Sequence, residues 1–201
     1  MNARVPRLSA AAALAAGAWA VASLSSREPG SGLDRRAFAS VNGAASPAAD
    51  RFFRGVTELG SFAASLGAAA ALAARGRARV GAGALGAAAL TWWVGQRLKA
   101  VHMRPRPYQT DAPVRRLIAG PAGASWPSSH PAVLAAFTTV AARGLGLSLA
   151  ERGALAGLVG AVAVSRVYVG VHYPSDVVGG VLLGRAVAHT WSAIVPPGPA
   201  A

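Results

Sequence analysis

The sequence has no cysteine and unusually few charged residues. With no Cys among 201 residues, disulfides and thiolate metal sites are excluded, and the chain carries no signal of its redox compartment. Charged residues make up only 13%, about half of what a soluble globular domain uses, whereas hydrophobic residues reach 53%. The charges are clustered, so long uncharged tracts lie between them. This combination predicts a membrane protein rather than a soluble globule.

Acidic residues are the scarcest charged type. Seven Asp and Glu oppose 20 Lys and Arg, of which Lys99 is the single lysine, and the formal net charge is +13. Such an excess suits phosphate groups or an anionic lipid surface, and it raises the question of nucleic acid. A nucleic-acid module would carry its basic residues on one face of a soluble fold, but here they fill the gaps between apolar tracts. The predicted partners are therefore a phosphate-bearing substrate and the bilayer, with no nucleic acid.

The uncharged tracts are long enough for an all-α, polytopic membrane bundle of about six helices in one domain, 1–201. The predicted spans are 8–26, 55–74, 80–96, 131–150, 153–169 and 174–195. The first tract also resembles a signal peptide, with Ala18-Trp19-Ala20 as its cleavage site, but a retained helix is favoured because further spans follow. Residues 27–54 read as a connector that can hold a short helix at the membrane interface, and Pro196-Pro197-Gly198-Pro199 cannot continue the last helix.

Six spans bring two distant loops together. The ends of spans three and five and the starts of spans four and six fall on one membrane face, so loops 97–130 and 166–176 are expected to meet there. Small residues at helical spacing, Gly180 with Gly184 and Gly153 with Gly157, predict close helix packing. Arg185 and His189 interrupt the last span and are expected to snorkel or to face the bundle rather than to act as ligands.

The loop before the last span concentrates reactive groups. His172 precedes Asp176 by four residues, and Asp176 falls in the first turn of the following helix. The carboxylate is therefore expected to accept a hydrogen bond from one nitrogen of His172 and to leave the other with an outward lone pair, as in a histidine nucleophile or base. Arg166 would supply a fixed positive charge for an anion. The alternative reading is a polar loop with an incidental ion pair.

Two further polar islands accompany this loop. Lys99 is separated by six residues from Arg106-Pro107, and Trp126 leads into Pro127-Ser128-Ser129-His130. In order, the three islands resemble the signature of the type 2 phosphatidic acid phosphatase (PAP2) superfamily: Lys, six residues, Arg-Pro; then Pro-Ser-Gly-His; then Ser-Arg, five residues, His, three residues, Asp. Ser165-Arg166 with His172 and Asp176 match the third part, and the departure is Ser129, where the family usually has Gly.

The resemblance implies a metal-independent phosphatase without a cofactor. It assigns His172 as nucleophile, His130 as general acid and base, and Asp176 as the residue that orients His172. The implied phosphate-binding residues are Lys99, Arg106, Ser128, Ser129 and Arg166. Their chemistry agrees, because a phosphoryl group in transit needs positioned cations and N–H donors, which a helix N-terminus at Ser128 and Ser129 would add. The Ser129 hydroxyl is expected to modify activity rather than to abolish it.

The family's substrates are lipid phosphates such as phosphatidic acid, phosphatidylglycerol phosphate, undecaprenyl diphosphate and decaprenyl-phosphoribose phosphate. The resemblance also implies a multi-pass protein of the bacterial inner membrane, with its site on the extracytoplasmic face. Soluble relatives share the residues, but the spans argue against them. A non-catalytic transport or assembly protein that keeps an anion site is the alternative function, and the oligomeric state stays open. Arg104, Arg115 and Arg116 are expected to meet lipid headgroups, and His102 to be a loop residue without a role.

Overall fold

The computed structural model describes residues 4–25, 32–110 and 114–195, and every regular element within these ranges is a helix. The helices are α1 Arg4–Ser25, α2 Gly32–Asn42, α3 Pro47–Glu58, α4 Phe62–Ala74, α5 Ala78–His102, α6 Pro107–Thr110, α7 Ser129–Gly144, α8 Leu149–Tyr168 and α9 Pro174–Ile194. The predicted all-α fold is confirmed. The proline-rich tail 196–199 lies outside the described residues, as do the first residues of the connector, 27–31.

Helix α7 lies at the centre of the bundle, packed against α5, α8 and α9, while α1 runs along α9 and α4 along α5. The largest core cluster joins α4, α5, α7 and α9, and it consists mostly of alanine with Val133, Phe137 and Val140. Lipid tails are as apolar as these side chains, so helices associate through close van der Waals packing, which small residues permit. The alanine-rich composition therefore gives a tightly packed bundle.

The tightest helix approach is between α9 and the start of α7. A Cβ at Gly180 would collide with the Ser128 carbonyl oxygen, and one at Gly184 would collide with that of Ala132. Both positions require glycine, which confirms the predicted close packing of this pair. The same prediction is wrong for Gly153 and Gly157, because a Cβ at either position would meet open space.

The number of membrane spans is less definite than the fold. By length and apolarity, α1 and α9 can each cross a membrane, and α3 with α4, bent by 62°, passes the same test as a broken pair. Six crossings are therefore not confirmed. The predicted span 55–74 is interrupted because Ser61 caps a new helix by accepting from the Ala64 N–H, and the predicted span 131–150 stops at Gly144 because Ser148 caps α8 in a box with Glu151. Charge-free length did not reveal either cap.

The connector is a structured part of the protein rather than a simple interfacial link. Its helix α2 packs against α8 and α9, and α3 packs against α8. Asp34 and Asn42 of α2 are buried, although polar. Asn42 donates to the carbonyls of Arg115 and Tyr168, at 2.8 Å each. These contacts bind the connector to the loops at one end of the bundle.

That end is where α5 and α8 finish and where α7 and α9 begin. Two backbone hydrogen bonds join the connecting loops: Ser128 N–H to Asp176 C=O at 3.0 Å and Leu117 N–H to Val169 C=O at 3.1 Å. A third, Ser125 N–H to Arg104 C=O at 2.8 Å, lies within the longer loop. The predicted meeting of loops 97–130 and 166–176 is confirmed. Parts of both are helical, since α5 extends to His102 and Arg166 lies in the last turn of α8.

Candidate active site

His172 lies at the centre of this loop cluster, in the turn between α8 and α9, and only 2% of it is exposed. Its Nε2 is 3.2 Å from Nη1 of Arg106. On the other side of the ring, Nδ1 is 3.5 Å from Ser125 Oγ and 3.6 Å from Oδ2 of Asp176. The two ring nitrogens therefore face different chemical groups.

These neighbours determine which nitrogen carries the proton. An arginine has only donors, so Nε2 facing Arg106 has to be an acceptor. Ser125 Oγ gives its one proton to Asp176 Oδ2, at 2.5 Å. The serine oxygen can then only accept from His172, which places the proton on Nδ1. Both sides of the ring lead to the same tautomer, with the lone pair on Nε2.

Asp176 is fully buried, and every neighbour donates to it. Its Oδ1 pairs with Arg104 Nη1 at 2.5 Å. Its Oδ2 accepts from Ser125 Oγ at 2.5 Å and from the Tyr173 N–H at 2.8 Å. His172 Nδ1 lies 3.6 Å from Asp176 Oδ2, within ion-pair distance, and 3.5 Å from Ser125 Oγ, so the ring faces both groups. Sequence reasoning missed Ser125 because it lies outside the three motifs.

Arg104 is buried in this cluster, so the expectation that it meets lipid headgroups is wrong. Besides Asp176 it pairs with Asp34 of α2 at 2.6 Å, and its guanidinium stacks over the Tyr173 ring at 4.6 Å. Asp34 also accepts from the Ser175 N–H at 3.0 Å. This network ties α2 to the start of α9.

The other residues that were expected to meet headgroups or to lie in a loop have different environments. Arg115 pairs with Asp50 at 2.6 Å and stacks over Tyr168, so it too is a structural residue. Arg116 is exposed over the Tyr108 ring. His102 is the last residue of α5, not a loop residue, and its ring lies 4.5 Å from that of Trp126.

Arg106 is held in one orientation by backbone carbonyls. Its Nε donates to Gly123 C=O at 3.0 Å, Nη1 to Val171 C=O at 3.0 Å, and Nη2 to Ala122 and Ala124 C=O at 3.4 and 3.2 Å. With the contact to His172 Nε2, all its donors have acceptors. A substrate group that approaches His172 Nε2 would therefore find the Arg106 guanidinium already held in place.

Three cations and a second histidine surround His172. Arg106, Arg166, Lys99 and His130 all lie close enough to hold its pKa well below the usual range, although burial is the largest cause. The ring is therefore neutral at physiological pH. Burial, followed by the charges of Arg166 and Lys99, also lowers the pKa of His130. All the predicted cationic and imidazole residues thus meet in one buried cluster.

Several donors in this cluster have no partner. The buried atoms Ser128 Oγ, Ser129 Oγ and Arg166 Nε make no hydrogen bond, although Arg166 is positioned by Nη1 donating to Thr57 Oγ1 at 2.8 Å. Ser129 is the first residue of α7, so its N–H and that of His130 have no acceptor within the helix. The Ser128 N–H, which was expected to be free, donates to Asp176 C=O. Buried donors without partners are costly, and they suit an anion with several oxygens.

The side chains around His172 are mainly cations and hydrogen-bond donors. Within the described ranges, no group of three or more His, Asp or Glu side chains is arranged to hold a metal ion. The residues offer an imidazole lone pair on Nε2 with cations and donors around it. This arrangement is suited to a tetrahedral anion with a nucleophile beside its central atom.

The fold and the site together define a helical membrane protein with a buried anion site built around histidine. The PAP2 superfamily model matches residues 80–197, more than half of the chain, and the protein belongs to that superfamily. A search of curated proteins finds no match.

Two solved structures are similar to most of this chain. Aquifex aeolicus LpxE is 26% identical, with a TM-score of 0.72 over 79% of this chain and 93% of its own. A transmembrane PAP2-type phosphatidylglycerolphosphate phosphatase from Bacillus subtilis is 21% identical, with a TM-score of 0.74 over 92% of this chain and 94% of its own. At that identity the second likeness concerns the fold alone.

Proposed function

We propose that this protein is a membrane phosphatase that removes phosphate from a lipid phosphate monoester or diphosphate through a phosphohistidine on His172. The observation that carries the proposal is the lone pair on Nε2, which two independent neighbours enforce. Arg106 can only donate to Nε2, and Ser125 can only accept from Nδ1. A neutral imidazole with this tautomer, among three cations, is a prepared nucleophile for an anionic phosphate.

In the first step, the Nε2 lone pair of His172 leaves its hydrogen bond with Arg106 Nη1 and attacks phosphorus, and the bond to the lipid oxygen breaks. Lys99, Arg106 and Arg166 offset the charge on the phosphoryl oxygens, and Ser128 and Ser129 add donors. His130 gives a proton to the leaving oxygen. A phosphate dianion beside His130 would raise the affinity of its imidazole for that proton, against the lowering by burial and the nearby cations.

In the second step, His130 takes a proton from water, and the hydroxide oxygen attacks phosphorus. The phosphorus–nitrogen bond then breaks, the electron pair returns to Nε2, and inorganic phosphate leaves. Ser125 and Asp176 hold the proton on Nδ1 throughout, so His172 returns to the same tautomer. No metal or cofactor enters either step.

A lipid is the substrate class that the bundle supports best, because α1 and α9 are apolar enough to cross a membrane and the site lies at one end of the bundle. The Bacillus subtilis protein of the same fold is named as a phosphatidylglycerolphosphate phosphatase. Phosphatidic acid, phosphatidylglycerol phosphate, polyprenyl diphosphate and decaprenyl-phosphoribose phosphate are the candidates to compare. We place the site on the extracytoplasmic face of a bacterial inner membrane.

The decisive experiment is phosphate release from these lipids by purified protein in EDTA, with and without vanadate. We expect turnover in EDTA and inhibition by vanadate. Brief mixing with ³²P-labelled lipid should give a protein label that is stable in base and labile in acid. His172→Gln should lose turnover and label, whereas His189→Gln, which replaces a histidine far from the site, should retain both.

The alternative is a non-catalytic protein that binds anions with the same residues. That alternative would hold if folded wild-type protein binds the lipids without releasing phosphate. Full activity of His172→Gln would instead remove the covalent mechanism. Turnover that EDTA abolishes and a divalent metal restores would refute metal independence.

A further inference from the structure

A second cationic cavity lies at the opposite end of the bundle. It has a volume of about 310 Å³ and is an open cleft between α7, α8 and α9, with Arg143, Arg152 and Arg185 in its wall. Arg143 is fourteen residues beyond Ser129 on α7, a rise of about 21 Å along the helix. No residue of the phosphate cluster around His172 lines this cavity.

The three arginines have no acidic partner within the described parts of the chain. Arg143 donates to Ser192 Oγ at 3.0 Å and to His189 Nε2 at 2.8 Å, so His189 faces the bundle as predicted. Arg152 donates to the Leu147 carbonyl at 2.8 Å. The nearest acid in the sequence, Glu151, is occupied by the Ser148 cap. Like charges converging without compensation repel, and a bound anion would relieve that repulsion.

Further positive charge lies next to this cavity. Arg7 of α1 donates to the Ser192 carbonyl at 2.7 Å, so it approaches the same turn of α9 that receives Arg143. One arginine guanidinium can donate two parallel hydrogen bonds to two oxygens of a phosphate. A cluster of arginines is therefore selective for phosphate over a simple halide.

Two threonines, Thr138 and Thr139, and several apolar side chains complete the cavity wall. Leu155, Val159 and Val181 line it together with alanines. A second cavity of about 370 Å³ adjoins it between α4, α7 and α8, with Leu72, Phe137 and Leu145 in its wall. Thr138 and Leu155 line both cavities. A cationic cavity thus lies beside a mostly apolar one, which has the exposed Arg75 in its wall. This arrangement suits a phospholipid headgroup and its acyl chain.

We propose that this end of the bundle holds one anionic phospholipid, with its phosphate on Arg143, Arg152 and Arg185 and an acyl chain in the adjoining apolar cavity. Basic pockets between membrane helices are typical sites for such headgroups. The lipid is a structural ligand and not a substrate, because the reactive histidines lie at the other end. It joins α7, α8 and α9, which also carry His130, Arg166 and Asp176, and so stabilises the frame of the active site.

The test is native mass spectrometry of the detergent-solubilised protein titrated with dioleoyl phosphatidylglycerol or, as the neutral comparison, dioleoyl phosphatidylcholine. We expect one tightly held phosphatidylglycerol and weaker, unsaturated binding of phosphatidylcholine. Arg185→Gln should weaken phosphatidylglycerol about tenfold, since it removes one charged hydrogen-bonding group. Arg79→Gln is the matched control, because it removes one exposed arginine at the same end outside both cavities, and it should bind as the wild type does.

Two further arms distinguish this lipid site from the active site and from a site for free phosphate. Lys99→Gln, a change in the phosphate cluster around His172, should still bind phosphatidylglycerol. If Lys99→Gln lost the lipid and Arg185→Gln kept it, the lipid would occupy the active site and the proposal would be overturned. Millimolar inorganic phosphate should not displace the lipid, and full displacement would reduce the site to one for free phosphate. Equal binding of both lipids, or undiminished binding by Arg185→Gln, would also refute it.

Folding of the variant can be checked independently. Arg185 is exposed and makes no hydrogen bond to the described part of the chain. The Tm of Arg185→Gln in phosphatidylcholine should therefore equal that of the wild type. Added phosphatidylglycerol should raise the Tm of the wild type and of Arg79→Gln, but much less that of Arg185→Gln, because a ligand stabilises only the form that binds it. An equal rise in all three proteins would contradict the proposal.

Discussion

Replacement of Arg104 by glutamine tests whether a buried ion-pair network supports the site. Arg104 is 6% exposed and bridges Asp176, which is fully buried, to Asp34, which is 7% exposed. Glutamine is neutral and too short to reach both carboxylates. Their negative charges would then stay buried with the charged partner gone.

The expected cost follows from that burial. Removing one partner of a buried ion pair destabilises a protein by about 3–5 kcal/mol. For a protein of about this size, each kcal/mol lowers the Tm by about 2–4 °C. Arg104→Gln should therefore lower the Tm by about 6–20 °C. Activity should fall further than the loss of folded protein explains, because Arg104 holds the carboxylate next to Ser125 and His172.

The assay is thermal unfolding in detergent together with phosphate release below the transition. Arg116→Gln is the matched control, since Arg116 is an exposed arginine of the same loop, and its Tm should change by little. A double-mutant cycle with Asp34→Asn isolates the contribution of the ion pair. Asp34→Asn should cost much less in the Arg104→Gln background than in the wild type, because its charged partner is already gone.

If Arg104→Gln and Arg116→Gln had the same Tm, the network would have no supporting role, and headgroup binding would again be the expected role of Arg104. Additive costs in the cycle would show that Arg104 and Asp34 do not act through their ion pair. Rescue of the Tm by Arg104→Lys would be partial at most, because one ammonium group cannot replace both Nη1 and Nη2.

Three further changes test the chemistry of the site. Asp176→Asn should fold yet lose up to about 10⁴-fold in kcat. The reason is that the amide NH₂ would face Arg104 or Ser125, both of which donate to the carboxylate in the wild type. An unchanged kcat would mean that Asp176 only caps α9. His130→Ala should lose about 10²–10⁴-fold on a lipid alkyl phosphate and markedly less on an aryl phosphate, whose leaving group needs no proton; equal losses on both, with no burst of the aryl alcohol, would remove His130 from proton transfer. The Lys99 charge lowers the pKa of His172, so Lys99→Gln should raise that pKa and move the acid limb of kcat/KM to higher pH, because activity falls as the ring gains a proton. A limb that stays in place would mean that another group titrates there.

The bundle and its reactive residues could be predicted from local patterns. Uncharged tracts indicate membrane helices, because each backbone group in a bilayer has to be satisfied within its own helix. The spacing of Lys99, Arg106, His130, His172 and Asp176 resembles the PAP2 signature, and that resemblance predicted one phosphate site. Alternating helix directions predicted that the two loops meet.

What needed the tertiary structure was every interaction between residues far apart in the chain. Ser125 and Asp176 both face Nδ1 of His172, and no motif spacing predicted that Ser125 would lie beside this ring. Arg104 meets Asp34 across seventy residues, so its burial could not be read from its own loop. The helix break near Ser61 was missed, and the turn before α8 was placed a few residues too late, because hydropathy averages over a cap. Side-chain pairing in three dimensions decides such features, since the free energy of a buried polar group depends on which partners packing brings to it.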